Sequence, residues 1–331
     1  MSSRLRDRHK GKEGTLTPTR TTLGADPAHR TCALNGYAFQ QDALRTFKGW
    51  QYACFYSSPA NGTSSAYPSE EPVYVHLLRR KLPAGNWETL VFADYAQTTD
   101  DGHNTVQAGT TRTTPSTSSR QGPNSAANNR DICYAWSSDG GTRWHSGGGN
   151  NADTSKCGEV IADLGKGESI VPSSPGIVAF TVPKGSGLIN QEAQAVDCEG
   201  GVHVLNRDNL EASVMRWKHY YRSPQGTWTQ RALPYVEGVY GGKRGQVAVS
   251  RDGDLYFVLP HHTDPMLTIL RASKTSRYEN YELVWQGGGI PPTEPLVDKV
   301  RLGQDNVLSI FTRMVSESRD SVDVVVIDFQ L

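Results

Sequence analysis

The chain has 331 residues, enough for two average domains or one large all-β domain, with 36% hydrophobic and 21% charged residues. Thirty-four Lys and Arg balance 34 Asp and Glu, which removes the electrostatic case for nucleic acid or an anionic membrane but leaves room for a local basic pocket. No run of about 18 apolar residues is present, so no transmembrane helix is expected.

The 33 Gly, 18 Pro, 14 Tyr and 7 Trp favour short strands joined by tight turns over long helices. Residues 1–29 are polar, rich in Arg, Thr and Lys and without periodicity, and read as a disordered tail with no secretory leader. Residues 30–331 read as a single domain. Its first strands are Ala43–Phe47 and Trp50–Tyr56 around a Lys48-Gly49 turn, then Val73–Leu82, a Pro83–Asn86 turn and Trp87–Phe92. Residues 108–130 interrupt the pattern. They are low-complexity, hold no apolar side chain larger than Ala, and are expected to form no core strand.

Order returns at Ile132–Trp136, followed by Ser137-Ser138-Asp139-Gly140-Gly141-Thr142-Arg143-Trp144. This is close to the Asp-box, SxDxGxTW, with the Thr and its neighbour exchanged. In that hairpin turn the Asp caps backbone N–H groups, the glycines take positive φ, and the Trp packs between blades. Further turn–strand echoes follow at Asp197–Gly201, Pro224–Gly226, Arg251–Asp254 and Gly303–Asn306. Repeated hairpins at this spacing predict a β-propeller, with a β-sandwich as the competing architecture.

Five cysteines, Cys32, Cys54, Cys133, Cys157 and Cys198, include no CxxC pair, so no zinc site is indicated and at most two disulfides can form. Asn61-Gly62-Thr63 is a glycosylation sequon of the kind that also arises by chance.

Several stretches resemble the BNR-repeat family that includes polysaccharide lyases, in particular fungal L-rhamnose–α-1,4-D-glucuronate lyases, with ulvan lyases more distant. They are Gly36–Leu44, Gly49–Tyr52, Arg79–Pro83 with Trp87-Glu88, Asp100–Asn104, Asp131–Trp136, Gly187–Gln191, Gly201–Arg207 and His219–Arg222. The resemblance spans about residues 35–107 and 128–331. It implies a seven-bladed BNR/Asp-box propeller, extracellular and monomeric, that acts on an acidic polysaccharide without a cofactor, a structural metal aside. The family carries two or more further blades where this chain has residues 108–130, so an incomplete ring is expected. A second active-site His, a Tyr and an Arg of the family have no matching positions here.

A uronate lyase works by β-elimination. A base removes the proton on carbon 5, hydrogen bonds or positive charge stabilise the enediolate-like carboxylate, and an acid protonates the leaving oxygen at carbon 4. By resemblance, His103 belongs to the catalytic constellation, as base or carboxylate binder, with Asn104 beside it. Tyr220, Arg222 and Arg244 are candidates for substrate contact: an aromatic face, a hydroxyl and cations for the carboxylate. Each also has a plain structural reading, as blade packing or a solvated basic turn. His203 alternates with Val202 and Val204, which suits a channel lining or, more readily, a polar interface between blades. His261-His262 has no third ligand at metal spacing, so no metal site is expected. The acidic pairs Glu70-Glu71, Asp100-Asp101 and Asp163/Glu168 read as turn residues rather than a glycosidase pair. Two other readings compete with a lyase: an inactive or truncated propeller that binds acidic carbohydrate, and a sialidase-like glycoside hydrolase.

Overall fold

The computed structural model describes residues 15–27, 34–37, 42–58, 72–98, 117–120, 128–148, 157–171, 173–190, 193–210, 214–237, 243–261, 264–317 and 321–331. The protein packs as two compact units, residues 1–110 with 243–331 and residues 111–242, where the sequence suggests one domain.

Strands β1 (Pro18–Ala25), β2 (Leu44–Phe47), β3 (Trp50–Ser57), β4 (Val73–Lys81) and β5 (Trp87–Gln97) open the first unit. The second unit holds β6 (Thr117–Arg120), β7 (Arg130–Trp136), β8 (Arg143–Ser146), β9 (Val160–Asp163), β10 (Val178–Phe180), β11 (Ala193–Val196), β12 (Val202–Asp208), β13 (Arg216–Arg222) and β14 (Trp228–Glu237). The first unit resumes with β15 (Gln246–Val249), β16 (Leu255–Pro260), β17 (Met266–Ala272), β18 (Tyr281–Gly288), β19 (Leu296–Val297), the helix α1 (Lys299–Asp305), β20 (Val307–Val315) and β21 (Val322–Gln330).

All pairing is antiparallel, and the described strands form five sheets, each the four- or five-stranded unit of a propeller blade. In the first unit these are β2-β3-β4-β5, β15-β16-β17-β18 and β1-β21-β20-β19. The last joins the two ends of the chain. Within the stretch read as a disordered tail, residues 18–25 are instead a strand, because Pro18–Ala25 pairs along β21. An outermost strand needs only backbone donors and acceptors on one side, which a Thr-rich polar stretch supplies as well as an apolar one. The same reason accounts for β6, a four-residue strand of Thr117–Arg120 that pairs with β7 inside the low-complexity segment.

Hairpin turns stand where the sequence places them. Lys48-Gly49 (φ 48° and 75°) closes β2–β3, Gly200 (φ 87°) lies between β11 and β12, Gly226 (φ 92°) between β13 and β14, and Gly253 (φ 91°) between β15 and β16. Gly303–Asn306 differs: Gly303 is inside α1, whose C-cap is Asn306 in the left-handed conformation.

The first unit has two apolar seams. Leu44, Ala53, Phe55 and Leu78 pack on Leu296, Phe311, Val324 and Val326. Val258, Ile269 and Trp285 pack on Ile310, Ile327 and Phe329. A buried polar network reinforces the first seam. Arg301 donates to Asp328 Oδ1 and Ser309 Oγ (both 2.7 Å), Arg80 Nε to Gln51 Oε1 (2.9 Å), and Thr46 and Gln51 to Asp298 Oδ2 (2.7 and 2.9 Å). The second unit is held by Ile132, Tyr134, Phe180, Val202, Val204, Tyr220 and Trp228.

Candidate functional site

The Asp-box turn forms as its sequence requires. Asp139 Oδ1 accepts from the backbone N–H of Thr142 (3.1 Å) and Arg143 (2.9 Å), Oδ2 from Arg143 Nε (3.0 Å), and Gly140 and Gly141 take φ of 73° and 94°. The hydrogen bonds from the Arg143 backbone and guanidinium hold the Asp139 carboxyl well below the usual range. Trp144 packs within its own sheet, on Cys133, Ala135 and Ile177, rather than between sheets. The turn is a scaffold element. Asp163 is one as well: its carboxylate accepts from the backbone of Gly165 (3.0 Å) while Glu168 accepts from the backbone of Asp163 (2.9 Å).

The first unit gathers a cationic cluster from segments that lead into the terminal strands of its sheets. Tyr37 precedes β2, Lys243 and Arg244 precede β15, and Glu294 precedes β19. The Glu294 backbone N–H donates to Gly36 O (2.9 Å), which ties two of these segments together. Arg244 Nη1 donates to Glu294 Oε1 (2.8 Å), and Lys243 Nζ lies 5.3 Å from the centre of the Tyr37 ring. Arg313 of β20 donates through Nε and Nη2 to Asp26 Oδ2 (2.8 and 2.7 Å), and Asn35 donates to Asp26 Oδ1 (2.8 Å). Burial lowers the pKa of Lys243, and the nearby Arg313 and Arg244 cations push the same way, against the opposing pull of Glu294. Burial and the neighbouring Asp26 raise that of Asp323. Three cations thus meet three carboxyl groups beside an aromatic ring, with Lys243, Arg244 and Tyr37 half-buried rather than sealed. Such a set can hold a carboxylate, with the lysine and arginine as donors to it.

The second unit holds a different polar chain. His203 Nε2 meets Asp197 Oδ2 at 3.2 Å, and His203 Nδ1 meets His219 Nε2 at 3.0 Å. The Tyr221 ring stacks on His203 with centroids 4.7 Å apart. His203 and His219 are buried, and burial lowers both pKa values, that of His219 strongly. The residue spacing made His203 a candidate for a polar interface; its pairing with His219 follows from the β12–β13 register, which lays His203 opposite Tyr221 and Leu205 opposite His219. That register had no signal in the linear sequence.

The remaining predicted site residues separate. Tyr220 is corrected: it is fully buried, its hydroxyl donates to Asp208 Oδ2 (2.8 Å), and its ring meets Phe180 edge-on, so it is core and offers no face to a sugar. Its neighbours Val204 and Trp228 occupy the same apolar cluster, which explains the burial. Arg222 is half-buried, donates to Gly147 O (3.2 Å) and lies over the Tyr134 ring, in the other unit from Arg244. Arg244 is in the cationic cluster. His103, Asn104, His262, Glu70-Glu71, Asp100-Asp101, Asn61 and Cys32 lie outside the described residues. Among the described residues no three His, Cys, Asp or Glu side chains are grouped to hold a metal ion. The site residues that the sequence reading passed over are Tyr37, Glu294 and Arg313; Gly36-Tyr37 and Lys243-Arg244 were visible as motifs, but Glu294 and Arg313 carried no local signal.

The family model of a BNR repeat-containing family member matches residues 50–115 and 107–235. The chain belongs to this BNR-repeat family. Solved structures similar to it include the polysaccharide lyase Uly1 at 11% identity and a TM-score of 0.39, covering 87% of this chain and 57% of that one. A protein of unknown function from Dyadobacter fermentans DSM 18053 matches at 12% identity and a TM-score of 0.34, with 92% and 81% covered. The Hadza microbial sialidase Hz136 matches at 13% identity and a TM-score of 0.32, with 86% and 55% covered. The BNR-repeat chain thus spans little more than half the length of the lyase and of the sialidase. No curated protein matches its sequence.

Proposed function

We propose that this BNR-repeat protein acts on an acidic polysaccharide, cleaving at a glucuronate by β-elimination, and that it works outside the cell. The observation that carries the reading is the cluster of Lys243, Arg244 and Arg313 around Tyr37 and Glu294. Elimination needs negative charge neutralised on the uronate carboxylate as the carbon 5 proton leaves, and a half-exposed Lys–Arg pair is suited to that. Arg244, oriented by Glu294, would clamp the carboxylate, Lys243 would share its charge, and Tyr37 would offer a ring to the sugar. His103, with Asn104 beside it, is proposed as the base on the strength of the Asp100–Asn104 resemblance; the proton it takes lies on carbon 5, and the leaving oxygen at carbon 4 takes one in return.

A second reading, a propeller that binds acidic carbohydrate without cleaving it, draws support from the five sheets found among the described residues against the seven the resemblance implies. One experiment separates the two. The protein is incubated with a rhamnose-capped glucuronate polysaccharide such as an arabinogalactan gum, and the ultraviolet absorbance of the new conjugated double bond is followed for the parent and for His103→Ala. Absorbance with the parent that disappears in the variant supports elimination. Binding without absorbance from folded protein favours the second reading, and release of an unmodified sugar with no double bond favours a hydrolase of the sialidase type.

A further inference from the structure

The sheet β2-β3-β4-β5 buries one face against its own unit and leaves aromatic and cationic side chains on the other. Thr46, Gln51 and Arg80 point into the seam, where they join the Asp298 and Asp328 network. Side chains alternate across a strand, so Phe47, Trp50, Tyr52, Arg79 and Lys81 share the opposite face. The register aligns them in two cross-strand rows: Phe47, Trp50 and Lys81 in one, Tyr52, Arg79 and Glu88 in the next. Arg79 Cζ lies 4.7 Å and Lys81 Nζ 5.3 Å from the centre of the Trp50 ring, and Lys48 Nζ 5.2 Å from that of Phe47. Phe47 is 46% exposed, Lys48, Arg79 and Lys81 are exposed, and Trp50 and Tyr52 are half-buried.

We infer that this face is a second binding site for an acidic polysaccharide chain, separate from the Lys243–Arg244 cluster. The two share no residue: the cluster draws on Tyr37, Lys243, Arg244, Glu294 and Arg313, and this face on Phe47, Lys48, Trp50, Tyr52, Arg79 and Lys81. Aromatic rings in successive rows offer platforms for the apolar faces of sugar rings, and cations beside each ring meet the carboxylates. Glu88, bound to Arg79 Nε at 2.8 Å, holds that guanidinium beside the ring and can itself accept from sugar hydroxyls. Such a site would hold a long chain on the protein while the other cluster acts on it. The inference shares the acidic-polysaccharide part of the proposed function but does not require cleavage.

The test is affinity electrophoresis through gels that contain the glucuronate gum, dextran or polyuridylate, with the parent, Lys48→Asn/Arg79→Gln/Lys81→Gln, Lys48→Arg/Lys81→Arg, and Arg244→Gln. The changed side chains of the triple variant are exposed, and its fold is checked by its unfolding midpoint. The parent and the Lys-to-Arg variant should be retarded by the gum and not by dextran, and the triple variant should bind about tenfold more weakly or worse. Arg244→Gln should still be retarded. Retardation of the triple variant equal to the parent's overturns the inference, as does no retardation of the parent, equal retardation by dextran, or stronger retardation by polyuridylate at the same salt. Loss of retardation confined to the triple variant, with no double bond formed by the parent, would leave this site standing while the lyase reading fails.

Discussion

The two units each contain a cluster of basic and acidic side chains, and they differ in access to solvent. In the second unit Asp197, His203 and His219 form a chain whose histidines are sealed from water. In the first unit Lys243, Arg244 and Tyr37 stay half-buried on segments before strands, while the carboxylates of Glu294 and Asp26 are sealed. A sealed chain has committed its hydrogen bonds to the fold, so removing any member takes a partner from a buried neighbour and costs stability. A half-exposed cation with a shifted pKa can still meet a ligand. Histidine content alone would have ranked the two clusters the other way.

The sharpest way to break this comparison is to remove one member of each. Arg244→Gln should lower turnover on the gum by about a hundredfold, the scale of losing one charge-stabilising donor, and because Gln keeps an amide donor for the buried Glu294 the unfolding midpoint should fall less than in His203→Leu. His203→Leu should do the reverse. It takes one buried hydrogen-bond partner from Asp197 Oδ2 and one from His219 Nε2, at a cost of about 1–3 kcal/mol in denaturant unfolding, and leaves turnover per folded molecule unchanged. A large loss of turnover in His203→Leu with full stability would make the sealed chain functional and overturn the division.

Acidity should separate the clusters further. His203 and His219 have pKa values below the ordinary 6.5 because burial disfavours the imidazolium. The unfolded chain therefore takes up protons first. Their stabilising contribution is complete above pH 6.5 and is lost as pH falls below it toward the folded-state values. His76 and His261, lowered mainly by burial, give the first unit a share of the same acid sensitivity, so His203→Leu should flatten the pH dependence of the unfolding midpoint without abolishing it. Lys243 acts on the alkaline side. Its pKa lies below the ordinary 10.5, so gum binding at the cluster should weaken at a lower pH than an exposed lysine would give. Lys243→Arg should remove that weakening, which binding measured across alkaline pH would show.

The all-β class and most turns were legible because they depend on local chemistry. Lys48-Gly49, Asp197–Gly201 and Asp139–Trp144 encode their turns in residues that tolerate positive φ or cap backbone donors. The strands β1 and β6 were not legible, since an edge position asks little of its side chains and leaves no hydrophobic period to read. The candidate site was half legible. Lys243-Arg244 stands out in a glycine-rich turn, but Glu294 and Arg313 join it through contacts 50 residues or more away in sequence, which only the pairing of sheets creates.

Tyr220 carries the smallest test and the cleanest one. Its neighbours in sequence, His219 and Tyr221, belong to the opposite face of β13, so its aromatic and hydroxyl character looks functional until the strand's alternation is applied. In the apolar cluster its hydroxyl donates to the buried Asp208, near Lys218 Nζ at 3.8 Å. Tyr220→Phe keeps the ring contacts with Phe180 and removes one hydrogen bond to a charged acceptor, so it should lower stability by about 1–2 kcal/mol. Turnover and gum binding per folded molecule should equal the parent's. A Tyr220→Phe protein that is as stable as the parent yet loses activity would mean the hydroxyl reaches substrate after all, and would move the working site from the first unit to the second.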